Sequence, residues 1–315
     1  MSKGTNAASF NVVRCTAGPH THYLDMNWIR SIERANQVAA QRGAAGQVGV
    51  LRRAAGDVPV VSLAERLGAE ADEIGALQHV IVLDAADQPV ALLVDAVGQV
   101  TRAGADFLRP LPAMFDCSRL PFGGVGIQDD AMHLLLEPGA LLDVAPRSQY
   151  AAPTPVRPPA LPPHEGQGDR RLVLFAAPST SPRERPLVFG LSIIQVVEII
   201  GVPAVLPMPG TPGAVRGLIR WRDWPVPLID LGARLGMAAT GSMQTARVVI
   251  VRANAAAEPF GLLVRPVMRL LQLPVPHLKS ERPLPVQRAL TRGIVELRDE
   301  TMIIPDLDQV GNWAV

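Results

Sequence analysis

The stretch VPLIDLGARLG, Val226 to Gly236, has a near-copy in VPVVSLAERLG, Val58 to Gly68. Each reads as a short apolar strand, then Asp230 or Ser62 as a helix N-cap, then about one and a half helical turns stopped by glycine. Working outward, an apolar strand pattern follows each: HVIVL begins at His79, 21 residues after Val58, and RVVIV begins at Arg247, 21 after Val226. ALLVDAVGQV from Ala91 then matches GLLVRPVMRL from Gly261, and GVGIQDDAMHLLLEPGALL from Gly124 matches GIVELRDETMIIPDLDQV from Gly293. Four blocks in one order at a nearly constant offset identify an internal duplication. Within each copy the dominant signal is runs of four to eight Val, Ile and Leu residues bounded by Gly, Pro, Asp and Asn. The fold class is therefore all-β with short helices, and closed barrels are the expected way to avoid exposed strand edges.

The 315 residues suggest about two domains. The boundary falls in Pro146 to Gly168, where seven of 23 residues are proline and no apolar periodicity survives. That stretch reads as an extended spacer, giving a first domain over 1–145, a linker over 146–169 and a second domain over 170–315. Hydrophobic residues make up 48%, enough for real cores and too many for disorder. A net charge of +1 with 4% aromatics argues against a nucleic-acid partner. Two cysteines, Cys15 and Cys117, are too few for a disulfide framework or a zinc site and suit a reducing compartment. The opening MSKGTNAASFNVVRC has no apolar run, so a signal peptide is not expected. Leu187 to Gly210 is long enough to span a bilayer, but Gln195, Glu198, Pro203, Pro207 and Pro209 favour two buried strands and a turn. Membrane insertion is not expected.

The second half resembles the CheW-like domain of bacterial chemotaxis coupling proteins. Phe189-Gly-Leu191-Ser-Ile193-Ile-Gln-Val196-Val-Glu198-Ile199 is similar to the family's F-x-L-x-I-x-x-V-x-E-I segment. Val215 to Leu231, VRGLIRWRDWPVPLIDL, is similar to its V-x-G-x-x-N-L-R-G-x-x-V-P-V-x-D-L segment. The resemblance runs from Arg171 to Val310, and the first half looks like a more divergent copy, with Gly49 ten residues before Pro59 as Gly217 is before Pro227. It implies tandem CheW-like domains, each of two SH3-like β-barrels around a shared apolar core. It also implies a non-enzymatic adaptor joining a chemotaxis histidine kinase of the CheA type to the cytoplasmic tips of methyl-accepting chemoreceptors. Such a protein would be cytoplasmic and recruited to membrane receptor arrays. By motif position, Val196, Glu198 and Gly217 would contact the kinase, and Arg222 the receptor. Each has a plainer reading: core filling for Val196, a solvated charge for Glu198, a positive-φ turn for Gly217 and a loop cap for Arg222.

The departures from the pattern matter. Arg220 and Trp221 stand for the motif Asn and Leu, and Asp223 for its Gly; Asp223 is placed to pair with Arg222 and weaken or re-aim the receptor contact. Trp221 and Trp224 read as one exposed loop, serving either partner binding or inter-barrel packing. In the first half Ala54, Ala55 and Ser31 occupy the arginine, glycine and glutamate positions, with Glu33 two residues later. That half is expected to fold without the usual contacts; a structural role, self-association or a new partner remains open to it.

Signals for chemistry are weak. GGVGIQ at Gly123 lacks a dinucleotide fingerprint and reads as a hairpin turn. His20 and His22, with Asp25 or Glu33, are poorly spaced for a metal, and His79, His133, His164 and His277 are scattered. No catalytic residue, cofactor or metal is expected. Two further readings stand beside the adaptor. One is a specialised scaffold of a pilus- or surface-motility system that has lost receptor coupling. The other is a small-ligand sensor or enzyme on a β-barrel.

Overall fold

A computed structural model describes residues 9–43, 46–70, 74–85, 88–104, 106–115, 120–128, 130–144, 171–178, 185–254, 256–272, 278–279, 284 and 286–312. The proline-rich stretch from Pro146, together with Cys117, His164 and His277, lies outside them. The chain divides into two compact units, Met1–Leu111 with Phe115–Pro158, and Pro112–Met114 with Pro159–Val315.

In the first unit the chain runs through β1 (Phe10–Ala17), β2 (His20–Asp25), β3 (Ile29–Arg34), β4 (Val38–Ala40), β5 (Gln47–Leu51), β6 (Val58–Ser62) and α1 (Leu63–Arg66). It continues through β7 (His79–Leu83), β8 (Val90–Val94), β9 (Ala96–Ala103), β10 (Leu108–Arg109), β11 (Phe122–Gln128), β12 (Ala131–Leu136) and α2 (Pro138–Leu142). The second unit repeats the order with β13 (Arg171–Ala176), β14 (Leu187–Ser192), β15 (Val196–Ile200), β16 (Val205–Leu206), β17 (Val215–Trp221), β18 (Trp224–Asp230) and α3 (Leu231–Arg234). Then come β19 (Arg247–Val251), β20 (Phe260–Val264), β21 (Val267–Gln272), β22 (Leu278–Lys279), β23 (Thr291–Glu296), β24 (Thr301–Pro305) and α4 (Leu307–Val310).

Each unit holds two six-stranded sheets, the two small barrels that the sequence pattern leads one to expect. The first unit orders them β10-β11-β12-β2-β1-β9 and β3-β7-β8-β6-β5-β4, the second β22-β23-β24-β14-β13-β21 and β15-β19-β20-β18-β17-β16. The apolar run from Leu187 is strand, not a membrane helix: it forms β14, β15 and β16. No helix among the described residues is long and apolar enough to cross a membrane.

The strand chemistry follows from where the sheets pack. In β19 alternate residues serve two cores. Val249 and Val251 join a cluster with Phe175 and Phe189 from the other sheet and Leu307 of α4, while Val248 and Ile250 pack with Ile219, Trp221 and Leu228. A strand buried on both faces reads as a continuous apolar run, which is why RVVIV shows no polar alternation. At about 1.5–3 kcal/mol per fully buried large apolar side chain, this shared core is the largest stabilising contribution in the unit.

The short helices are fixed by their caps. The Ser62 hydroxyl accepts from Glu65 N at 3.3 Å, and the Asp230 carboxylate accepts from Ala233 N at 3.2 Å. One expectation fails here. Gly123 to Gln128 is not a hairpin turn but most of β11, which bulges between Phe122 and Gly124 as it pairs with β12. Gly124 takes φ 157, and a Cβ there would lie 2.7 Å from the Arg109 carbonyl oxygen, so the paired glycines serve a bulge and a close strand approach.

Candidate functional site

The matched residues of the second unit converge at one end of its second sheet. β15 is an edge strand of that sheet. β17 and β18 form a hairpin in which Trp221 pairs with Trp224, leaving only Arg222 and Asp223 in the turn. Both turn residues are left-handed, with φ 47 and φ 65. Two consecutive positive-φ corners are what a right-twisted two-residue hairpin demands. Arginine there is unusual, and aspartate is tolerated because its short side chain bonds locally.

Glu198 on β15 and Arg222 at the hairpin tip meet. Glu198 Oε2 accepts from Arg222 Nη2 at 3.1 Å and from Trp221 Nε1 at 3.0 Å. The Arg222 guanidinium carbon sits 4.6 Å from the centre of the Trp221 ring. Trp221 is thus both platform and clamp: its face carries the cation and its N–H holds the anion. Arg222 and Glu198 stay substantially exposed, so their attraction is screened, about 1 kcal/mol or less by itself. Ile199 on the same edge strand and Ile194 in the turn before it are exposed apolar residues, at 39% and 37%.

Two expectations are corrected. Trp221 and Trp224 are not an exposed loop: Trp221 is buried in the barrel core and Trp224 is half-buried in strand. Asp223 does not pair with Arg222; it accepts from Arg220 Nε at 3.1 Å and from its Nη2. The aspartate that replaces the motif glycine is therefore satisfied by the arginine that replaces the motif asparagine, and Arg222 is left to Glu198.

Val196 is half-buried and packs against the shared core, and a strand bulge separates it from Glu198. Gly217 has φ 131 at a second bulge, between Val215 and Gly217. A Cβ on Gly217 would lie 2.2 Å from the Leu206 carbonyl oxygen, so backbone geometry alone demands glycine there.

The hairpin is rooted at its base by Asp230, which is fully buried. Its carboxylate accepts from Thr240 N at 2.9 Å, Thr240 Oγ1 at 2.9 Å and Arg216 Nη2 at 2.7 Å, besides capping α3. Asp230 is an anchor for the site and takes no place in its exposed face.

The equivalent place in the first unit carries different chemistry. Ser31 stands where Glu198 does, and the Arg53 guanidinium bonds the Ser31 hydroxyl at 2.7 Å and pairs with Glu33. The sequence reading gave this unit no arginine at the site, because it compared Ala54 alone with Arg222. The signal was present one residue earlier, in Arg53, together with Glu33 two residues after Ser31.

The histidines do not assemble a metal centre. His22 is buried on β2, stacks on Phe122 at 6.0 Å between ring centres, and has no hydrogen-bond partner on either ring nitrogen. Burial first, then His20 and His133, push its pKa down to about 4. Asp25 is engaged with Asn27 at 2.8 Å, and no group of three or more His, Cys, Asp or Glu able to hold a metal is present among the described residues. The Cys15 thiol is buried and pushed up to about 12, which leaves it protonated and inert.

The model of the CheW-like domain matches twice, at residues 11–145 and 182–314. The chain belongs to the CheW-like domain family. Among its relatives are the chemotaxis protein CheW of Rhizobium meliloti, 31% identical over 153 residues, and the probable chemotaxis protein CheW of Rhizobium etli, 34% identical over 143. The matches cover 47% and 44% of this chain and 90% and 83% of those proteins. One CheW-like domain thus spans nearly the whole of each relative, and this chain carries two. Among solved structures, the scaffolding protein TtCheW from Thermoanaerobacter tengcongensis is 26% identical, with a TM-score of 0.37, over 46% of this chain and 88% of that one. The family supports a chemotaxis scaffold.

Proposed function

We propose that the chain is a non-enzymatic coupling scaffold whose second domain joins a CheA-type histidine kinase to the cytoplasmic tips of methyl-accepting chemoreceptors. It works in the cytoplasm and is recruited to receptor arrays at the membrane. The observation that carries the reading is the cluster of Glu198, Trp221 and Arg222 beside exposed Ile199 on an edge strand. An apolar residue flanked by a carboxylate suits a barrel-end contact with the kinase, to which the matched positions Val196, Glu198 and Gly217 are assigned. Arg222 offers a planar fork to carboxylates or carbonyls on a receptor helical hairpin, with its stem over apolar surface. The Trp221 indole orients both groups from beneath, and Trp224 braces the same hairpin.

The test is a titration against the regulatory domain of the host's CheA-type kinase. Wild-type protein binds in the micromolar range, Glu198→Arg abolishes binding, and Arg222→Ala keeps it while failing to assemble with receptor tips. Absence of wild-type binding, with the second domain folded, refutes the coupling role.

A further inference from the structure

Glu198 and Arg222 are assigned above to different partners, yet in the free chain they hold each other. Glu198 Oε2 accepts from Arg222 Nη2 at 3.1 Å, and among the described residues Arg222 has no other carboxylate, since Asp223 is turned to Arg220. Both side chains can be reached from solvent, at 58% for Arg222 and 39% for Glu198. A kinase donor approaching Glu198 therefore meets a carboxylate whose charge Arg222 already offsets. A receptor carboxylate or carbonyl approaching Arg222 meets a guanidinium already drawn to Glu198.

Trp221 gives each group a place to stay when the pair opens. Its Nε1–H holds the same Glu198 oxygen at 3.0 Å, and the centre of its ring lies 4.6 Å from the Arg222 guanidinium carbon. Each contact survives the loss of the ion pair. The indole itself is fixed, being 5% exposed in the barrel core and opposite Trp224 across the hairpin. The leucine of the family motif has neither a donor nor a π face, so this arrangement goes beyond what the motif provides. The first domain does not repeat it. There Arg53 stands at the Trp221 position and Ala54 at the Arg222 position, and Arg53 turns to Ser31 and Glu33.

We infer that the Glu198–Arg222 pair is a latch between the kinase and receptor interfaces, with Trp221 as its positioning residue. The latch rests on the coupling role proposed above. Whichever partner binds first opens the pair, and the other then finds its group released but still oriented by the indole. Receptor and kinase binding are thus positively coupled through one ion pair, and by linkage the effect is equal in either order. Because the pair is partly exposed, the coupling is small, up to about fivefold in affinity, and salt removes it.

The experiment is calorimetric titration of the full chain with the regulatory domain of the host's CheA-type kinase, with and without a saturating soluble fragment of a chemoreceptor cytoplasmic tip. At low salt the fragment tightens kinase binding by about three- to fivefold, and high salt abolishes the difference. Arg222→Ala, with no fragment present, binds the kinase about three- to fivefold more tightly than the wild type. Trp221→Phe keeps a ring in the core and loses the N–H. It weakens kinase binding by about fivefold or more, a change that a packing role alone, read by thermal melting, does not produce in the folded protein. Wild-type kinase binding that ignores the fragment, or that Arg222→Ala leaves unchanged or weakens, overturns the latch and leaves the coupling role standing. Unchanged affinity in Trp221→Phe, folded by circular dichroism, overturns the positioning role of the indole. No kinase binding by the wild type overturns the coupling role and the latch with it.

Discussion

Asp230→Ala should cost the second domain about 3–5 kcal/mol, the range found when one partner of a buried charged cluster is removed. The carboxylate is fully buried and receives four donor groups: Ala233 N, Thr240 N, Thr240 Oγ1 and Arg216 Nη2. Loss of the α3 cap accounts for about 1 kcal/mol. The Thr240 hydroxyl keeps the Leu263 carbonyl oxygen at 3.2 Å, whereas the buried Thr240 amide is left unmet, which costs about 1–3 kcal/mol. Arg216 is about one-third exposed and turns to water, so its loss adds little. For a domain of this size the sum lowers the midpoint by roughly 10–15 °C. Differential scanning calorimetry reads it, with the first domain's transition as internal reference. Ser62→Ala is the matched control: Ser62 makes a single cap bond at 3.3 Å, and its loss costs about 1 kcal/mol in the first domain. A shift for Asp230→Ala no larger than that of Ser62→Ala would refute the claim that this carboxylate roots the hairpin carrying Arg222.

Gly217→Ala forces a Cβ to 2.2 Å from the Leu206 carbonyl oxygen at a φ of 131, and should cost about 3 kcal/mol or more, read in urea unfolding of the second domain. Asp223→Gly relieves one of two positive-φ corners and should leave stability unchanged or raise it by up to about 1 kcal/mol, the lost Arg220 pair being worth less than the relieved strain. His22 is neutral in the fold, with its pKa pushed down to about 4, but takes a proton near 6.5 when unfolded. The unfolded state therefore binds more protons as pH falls. Stability of the first domain is complete above about 6.5 and declines by up to roughly 3 kcal/mol as pH drops towards 4. Melting across that window, compared with His22→Leu, should show the slope in the wild type and a flatter one in the variant.

Much of this architecture is legible in the sequence because the duplication prints every element twice. The blocks at Val58 and Val226 locate strand, cap and helix together, and Ser62 and Asp230 both cap as read. The apolar run from Leu187 resolves into strands for the reason the sequence offered, its Val and Ile density interrupted by prolines. The side-chain partners were not legible. Sequence adjacency suggested Asp223 against Arg222, but the two occupy opposite corners of a left-handed turn, and their side chains diverge to Arg220 and Glu198. The tryptophans looked exposed because charged residues stand beside them. In a strand, neighbours point to opposite faces, so a buried Trp221 between Arg220 and Arg222 is the ordinary outcome.

What the two domains retain and what they lose separates fold from site. Four bulges recur at equivalent places: in β3 and β15, in β5 and β17, in β9 and β21, and in β11 and β23. Gly49 repeats the demand of Gly217, since a Cβ there would lie 2.5 Å from Val38 Cγ1 and 3.0 Å from the Ala39 carbonyl oxygen. These positions hold the backbone path, so a change at any of them is felt throughout the barrel. The Glu198 and Arg222 positions sit at a strand end and a hairpin tip, where exchange for Ser31 and Ala54 leaves every core contact in place. The first domain could shed them at little cost in stability, and its own acid–base pair, Arg53 with Glu33, reappears two positions farther along β3. An acid two residues farther along a strand keeps the same face but advances by about 7 Å. A partner docked against Glu198 would meet Ser31 on the first domain, a hydroxyl in place of the carboxylate. On the proposed coupling role the kinase contact falls on the second domain, so Glu198→Arg in the full chain should leave no measurable kinase binding, read by titration.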